Sequence, residues 1–137
     1  MKKLVLIAVL VLFSPALEAS ENKLVGAWDT HSYVIEGKSH ALDGIIIFTE
    51  NYFAGTAYSS FSGGEMDDSN ANAGTYTIEG SNVTFQQQVQ IHIRPGDEKE
   101  PIFYGKDVPE AATFEIDGDD LTIYFPSGTK YLAKRLE

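Results

Sequence analysis

After residue 20 the hydrophobic positions of this chain fall in short alternating runs, and no stretch carries the 3.6-residue period of an amphipathic helix. Clusters of Gly, Asn, Asp, Ser and Pro separate the runs, and these residues punctuate turns. Eight runs read as strands, at about 24–36, 41–49, 52–59, 73–79, 82–94, 111–117, 120–126 and 129–136. Short strands at even spacing with turn signals between them predict an all-β sandwich or barrel.

Turn chemistry then sets the register of three hairpins. Segment 75–85 (TYTIEGSNVTF) is nearly repeated as 113–123 (TFEIDGDDLTI). A two-residue loop at Gly80-Ser81 pairs Ile78 with Val83 and Tyr76 with Phe85. A two-residue loop at Gly118-Asp119 pairs Ile116 with Leu121 and Phe114 with Ile123. The apolar members of each hairpin share one face, and a slip of one residue would turn them into water. Common hairpin chemistry accounts for the likeness without a duplication. A third loop at Glu50-Asn51 pairs Thr49 with Tyr52 and Phe48 with Phe53. Here 45–48 is apolar on both faces, so the pattern does not decide which of Tyr52 and Phe53 points inward. Gly55 and Ala57 are small, which lets this strand bend or admit a bulky partner.

Strands joined by hairpins leave open edges unless the sheet closes. The expected fold is therefore an eight-stranded antiparallel up-and-down barrel, its interior filled by side chains or holding one small ligand. Closure makes the first and last strands neighbours. Gly26, Trp28 and Arg135 are the expected closure: Trp28 plugs the base and Arg135 lays its guanidinium over the indole while donating to main-chain carbonyls. Gly26 allows close backbone approach. Several segments stand in a telling order: Leu24-Val25-Gly26-Ala27-Trp28, Gly44 to Thr49 (GIIIFT) followed by Tyr52-Phe53, Gly74 to Gly80 (GTYTIEG), 114–122 (FEIDGDDLT) and Leu132-Ala133-Lys134-Arg135. In these the chain resembles the lipocalins, calycin-type β-barrels, and more closely the small bacterial lipocalin-like domain family, over most of 20–137. The resemblance implies a barrel whose cavity carries a small apolar molecule, and it implies no reaction. The chain departs from the family pattern in lacking Gly at Glu50-Asn51 and in having Ala133 where a bulky aromatic is frequent. The second departure enlarges the cavity near the tryptophan end or is compensated by Tyr131.

The first residues read differently. A basic start (Lys2, Lys3), an apolar run over 4–13 and small residues up to Ala19 have the order of a secretory signal peptide. The run is about half the ~20 residues a membrane span needs. Cleavage is expected after Ala19, with Ala16 the other option, leaving one domain over 20–137 in the periplasm or secreted, with no stable membrane insertion. Without Lys2, Lys3 and Glu18, 8 basic and 19 acidic side chains remain, a net charge of −11. Such a chain repels nucleic acid and anionic membranes. With no cysteine there is no disulfide, thiol chemistry or lipidated anchor.

Candidate chemistry is sparse. His31 lies opposite Trp28 by alternation, His92 alternates with Gln86, Gln88, Gln90 and Arg94, and His40 sits beside a turn, so all three are expected in solvent. No metal-ligand spacing occurs among them, and no metal or cofactor is implied. The acidic run from Glu65 to Asn70 lacks the alternating order of a calcium loop and reads as solvated. Asp29, Asp43 and Glu115 have no evident partner, and no nucleophile or phosphate-cradling motif is present. The tyrosines say more. Tyr76 and Tyr131 face inward by parity, as does Gln87 beside Phe85 and Val89. Gln87, Tyr76 and Tyr131 are the expected polar part of a ligand-binding pocket, with Tyr58 inward only if Tyr52 is. Two long connections, 61–72 and 95–109, border the strands. The second holds Ile102-Phe103-Tyr104, which caps the core or folds over a pocket mouth.

The reading is an exported barrel that binds a small, partly hydrophobic molecule. Two alternatives stay open: an isomerase- or cyclase-type enzyme on the same barrel, or a loop-mediated interaction module of the cell envelope. The oligomeric state is not legible.

Overall fold

Antiparallel pairing runs unbroken around the molecule. In the computed structural model the strands are β1 (Gly26–Ile35), β2 (Lys38–Phe48), β3 (Tyr52–Ser60), β4 (Asp67–Glu79), β5 (Asn82–Ile93), β6 (Ile102–Phe103), β7 (Glu110–Asp117), β8 (Asp120–Tyr124) and β9 (Lys130–Arg135). The structure describes residues 22–60, 67–93, 102–103 and 108–137. The signal peptide expected over 1–19, Arg94, Tyr104 and much of the two long connections lie outside them.

Each main strand pairs with the next, β5 with β7, and β9 returns to β1, so eight strands close on themselves. The short β6 pairs with β5 at Ile91 and His92, beyond the ladder that β7 makes with 82–85. The chain is thus an all-antiparallel, closed up-and-down barrel, the fold class its pattern predicts. All three hairpins keep the expected pairs: Tyr76 with Phe85 and Ile78 with Val83, Phe114 with Ile123 and Ile116 with Leu121, and Phe48 with Phe53.

Two local features depart from the sequence reading. First, β4 begins at Asp67 rather than 73, so 67–72 is strand and not loop. The alternation there is real but reversed: Asn70 and Asn72 line the interior while Ala71 and Ala73 stand opposite on the pleat. Second, the ladder slips in two places. On β5 Gly74 opposes Gln87 and Ala73 opposes Val89, leaving Gln88 as an extra residue. On β1 the register shifts between Thr30 and Ser32 against both neighbours. Each bulge reverses the facing of the residues beyond it. Val89, expected inward beside Gln87, is 45% exposed, whereas Tyr33, outward from Trp28 by simple counting, is only 6% exposed.

The core gathers at one end. Leu24, Trp28, Phe48, Val83 and Leu121 are fully buried there. Phe48 packs edge-on against Tyr76 at 5.2 Å, and Phe53 against Phe85 at 5.1 Å. The turns at 50–51, 80–81 and 118–119 close this end, and the long connections leave from the other.

Candidate functional site

Trp28 forms the floor. Its Nε1 donates to Leu24 O at 2.8 Å, satisfying the one polar atom of a fully buried indole. Arg135 faces it across the β1–β9 ladder, with the guanidinium 4.1 Å from the ring centroid. The same fork donates to Val25 O at 3.1 Å and Lys23 O at 3.0 Å. Gly26 is held at φ +138°, and a side chain there would lie 2.7 Å from Arg135 Nη1. Only glycine accommodates both demands.

Beyond the floor lies a cavity of about 260 Å³, roughly the liquid volume of nine waters. Small side chains make the room: Gly55 and Ala57 on β3 line it. Across the ladder Gly55 pairs with Asn72, Asn72 with Gln90, and Ala57 with Asn70. One wall is therefore a patch of carboxamides, Asn70, Asn72, Gln87 and Gln90. The facing wall is apolar, built by Leu121, Ile123, Phe125, Tyr131 and Ala133. Aromatic rings continue along it, with Phe125 edge-on to Tyr131 at 5.5 Å and Tyr33 stacked between Tyr131 at 6.1 Å and His40 at 5.0 Å.

Two polar atoms of the lining residues are buried with no hydrogen-bond partner: Gln87 Oε1 on the carboxamide wall and Thr30 Oγ1 on β1, whose residue pairs with Ala133. Buried polar atoms are normally satisfied, and each orphan costs about 1–3 kcal/mol. Glu110 is the one charged side chain among the described lining residues.

The four residues expected to share a pocket do not meet. Gln87 and Tyr131 line the cavity. Tyr76 is buried, but at the closed end, where its hydroxyl donates to Thr49 O and accepts from Asn22 Nδ2 at 2.8 Å. Tyr58 is 44% exposed, because Phe53 takes the inward face of β3 and Tyr52 and Tyr58 the outward one. Of the histidines, His31 is exposed as expected. His40 is instead half-buried against Tyr33. The side chain of His92 lies outside the described part.

Counting missed Asn70, Asn72, Gln90, Thr30 and Tyr33. The signals for three of them were present. Gly74 marks the β5 bulge, since a Cβ there would run into the Gln86 carbonyl. The Asn-Ala-Asn-Ala order of 70–73 is itself a strand alternation.

Fold and site together define a closed eight-stranded barrel with an internal, two-sided cavity, the architecture of small-ligand binding proteins. The chain belongs to the lipocalin-like domain family: the model of that family matches residues 24–103. The match covers β1 through β6, and β7, β8 and β9 complete the barrel beyond it. No curated protein and no solved structure matches the chain. Among the described residues no helix is long and apolar enough to cross a membrane.

Proposed function

We propose that this protein is exported and that its barrel carries a small, partly hydrophobic molecule in the cavity between the carboxamide wall and the apolar wall. The observation that carries the reading is the cavity itself. A barrel of this size can be filled by its own side chains, yet here Gly55, Ala57 and Ala133 leave about 260 Å³ open beside Phe125 and Tyr131. That lies just under the roughly 300–1,000 Å³ of drug-sized sites, so the guest is small. The leader-like residues 1–19 support delivery outside the cytoplasm.

Native mass spectrometry of protein purified from its own host tests both parts. The expected spectrum shows a chain beginning at Ser20 with a small adduct. In Ala57→Leu, which fills the cavity, the adduct disappears while the melting temperature holds or rises. An empty wild-type protein whose melting temperature no small molecule raises would refute the carrier reading. A retained leader would refute export.

A further inference from the structure

We propose that the guest is an uncharged molecule whose polar end both donates and accepts hydrogen bonds, such as a primary amide or an alcohol, on a short apolar body, and that the cavity discriminates against carboxylates. This rests on the carrier reading and narrows it.

Three features of the lining carry the inference. The polar wall is neutral: Asn70, Asn72, Gln87 and Gln90 each offer an N–H donor pair and a carbonyl acceptor. Such a wall matches a group that is donor and acceptor at once. Next, the orphaned atoms ask for opposite partners. Gln87 Oε1 is an acceptor without a donor, and Thr30 Oγ1 has a hydroxyl proton to give. Both belong to side chains that line the cavity. A carboxylate has no proton to give Gln87. Last, the described lining residues include no cation, and their one charge is the carboxylate of Glu110. A buried anion needs a paired cation or dense hydrogen bonding. The whole chain, at net charge −10, repels an anion on approach as well.

The apolar wall supplies the rest of the discrimination. Leu121, Ile123, Phe125 and Tyr131 face the amides across the cavity, so a guest must bury an apolar body against them while its head meets the amides. A purely polar solute leaves that wall unfilled, and a purely apolar one leaves the amides unsatisfied. The small volume limits the body to a medium chain rather than a full acyl chain.

Calorimetric titration with the matched pair octanamide and octanoate, at neutral pH on the processed protein, tests this. Octanamide is expected to bind at least about tenfold more tightly than octanoate. Thr30→Val and Gln87→Leu should each weaken octanamide about tenfold, a hydrogen bond's worth at a buried site. Thr30→Val should melt at the same or a higher temperature, because it removes an orphaned hydroxyl without changing shape. Equal or tighter octanoate binding overturns the inference and leaves the carrier reading standing. Binding of neither probe overturns both. Octanamide affinity unchanged in both variants overturns the assignment of Thr30 and Gln87 as the head-group site.

Discussion

Tyr76 has its ring in the core against Phe48 and its hydroxyl tied to Thr49 O and Asn22 Nδ2. Burial pushes its phenol above the ordinary 10.0, the Asn22 hydrogen bond works against that, and the charge of Glu50 adds to it. The unfolded chain releases this proton near pH 10 while the folded protein still holds it. Above that pH the native state binds more protons than the unfolded state, so stability falls as pH rises; below it Tyr76 adds no pH dependence. Denaturant midpoints measured upward from about pH 10 should therefore drop more steeply for wild type than for Tyr76→Phe. At neutral pH the same substitution should cost about 1 kcal/mol, the net worth of a buried hydrogen bond. Parallel alkaline slopes would show that another group governs this limb. The inward facing of Tyr76 was legible, since Gly80 pins its hairpin register at φ +64°. Its place at the closed end was not. Its hydroxyl partners lie 27 and 54 residues away along the chain, a separation no local pattern encodes.

At the scale of the strand, polarity is inverted where β4 and β5 border the cavity, and on β5 a bulge places it there. Below the bulge on β5, Val83 and Phe85 point into the core. Above it, Gln90 lines the cavity while Val89 stands outside, in a row with Ile47, Ala54 and Ala73 across the pairs β2–β3, β3–β4 and β4–β5. An apolar outer wall around an amide-lined interior is the reverse of an ordinary soluble sheet. Uniform alternation along β5 therefore reads the facing correctly as far as Gln87 and wrongly beyond it. This is why Gln87 was found and Gln90 was not. Because Gln88 is the residue without a counterpart, deleting it leaves Gly74 opposite Gln87 and Ala73 opposite Val89. The deletion variant should stay folded, lose no more than a few degrees of melting temperature, and keep the cross-strand nuclear Overhauser contact between Asn72 and Gln90. A deletion variant that unfolds would mean the bulge is needed for curvature of the wall and not only to set its facing.

For the molecule as a whole, closure and cavity are opposite ends of one arrangement. The end holding Trp28 is packed and hydrogen-bonded; the other holds the space. The join of β1 to β9 makes the sheet a barrel, and beyond its ladder it is secured by few side-chain contacts. Arg135 covers the indole of Trp28 and ties down the carbonyls of Val25 and Lys23 before β1 begins. A main-chain bond from Leu136 N to Ala27 O continues the seam, and one from Arg135 N to Asp119 O extends the pairing of β9 with β8. Arg135→Ala keeps the main-chain bonds and loses the rest, a cation–π contact worth about 0.5–2 kcal/mol and two charge-assisted hydrogen bonds. The expected loss is about 2–3 kcal/mol, seen as a fall of several degrees in melting temperature. Arg135→Lys should recover only part, because an ammonium cannot lie flat on the ring and reach two carbonyls at once. Amide exchange locates the effect: protection should fall first at 26–30 and 131–135, on the two sides of the seam, while the β4–β5 hairpin keeps its own. If protection falls evenly around the barrel, the seam is no weaker than the rest. If neither stability nor exchange changes, the sheet stays closed through its backbone ladder, and Arg135 only covers the plug.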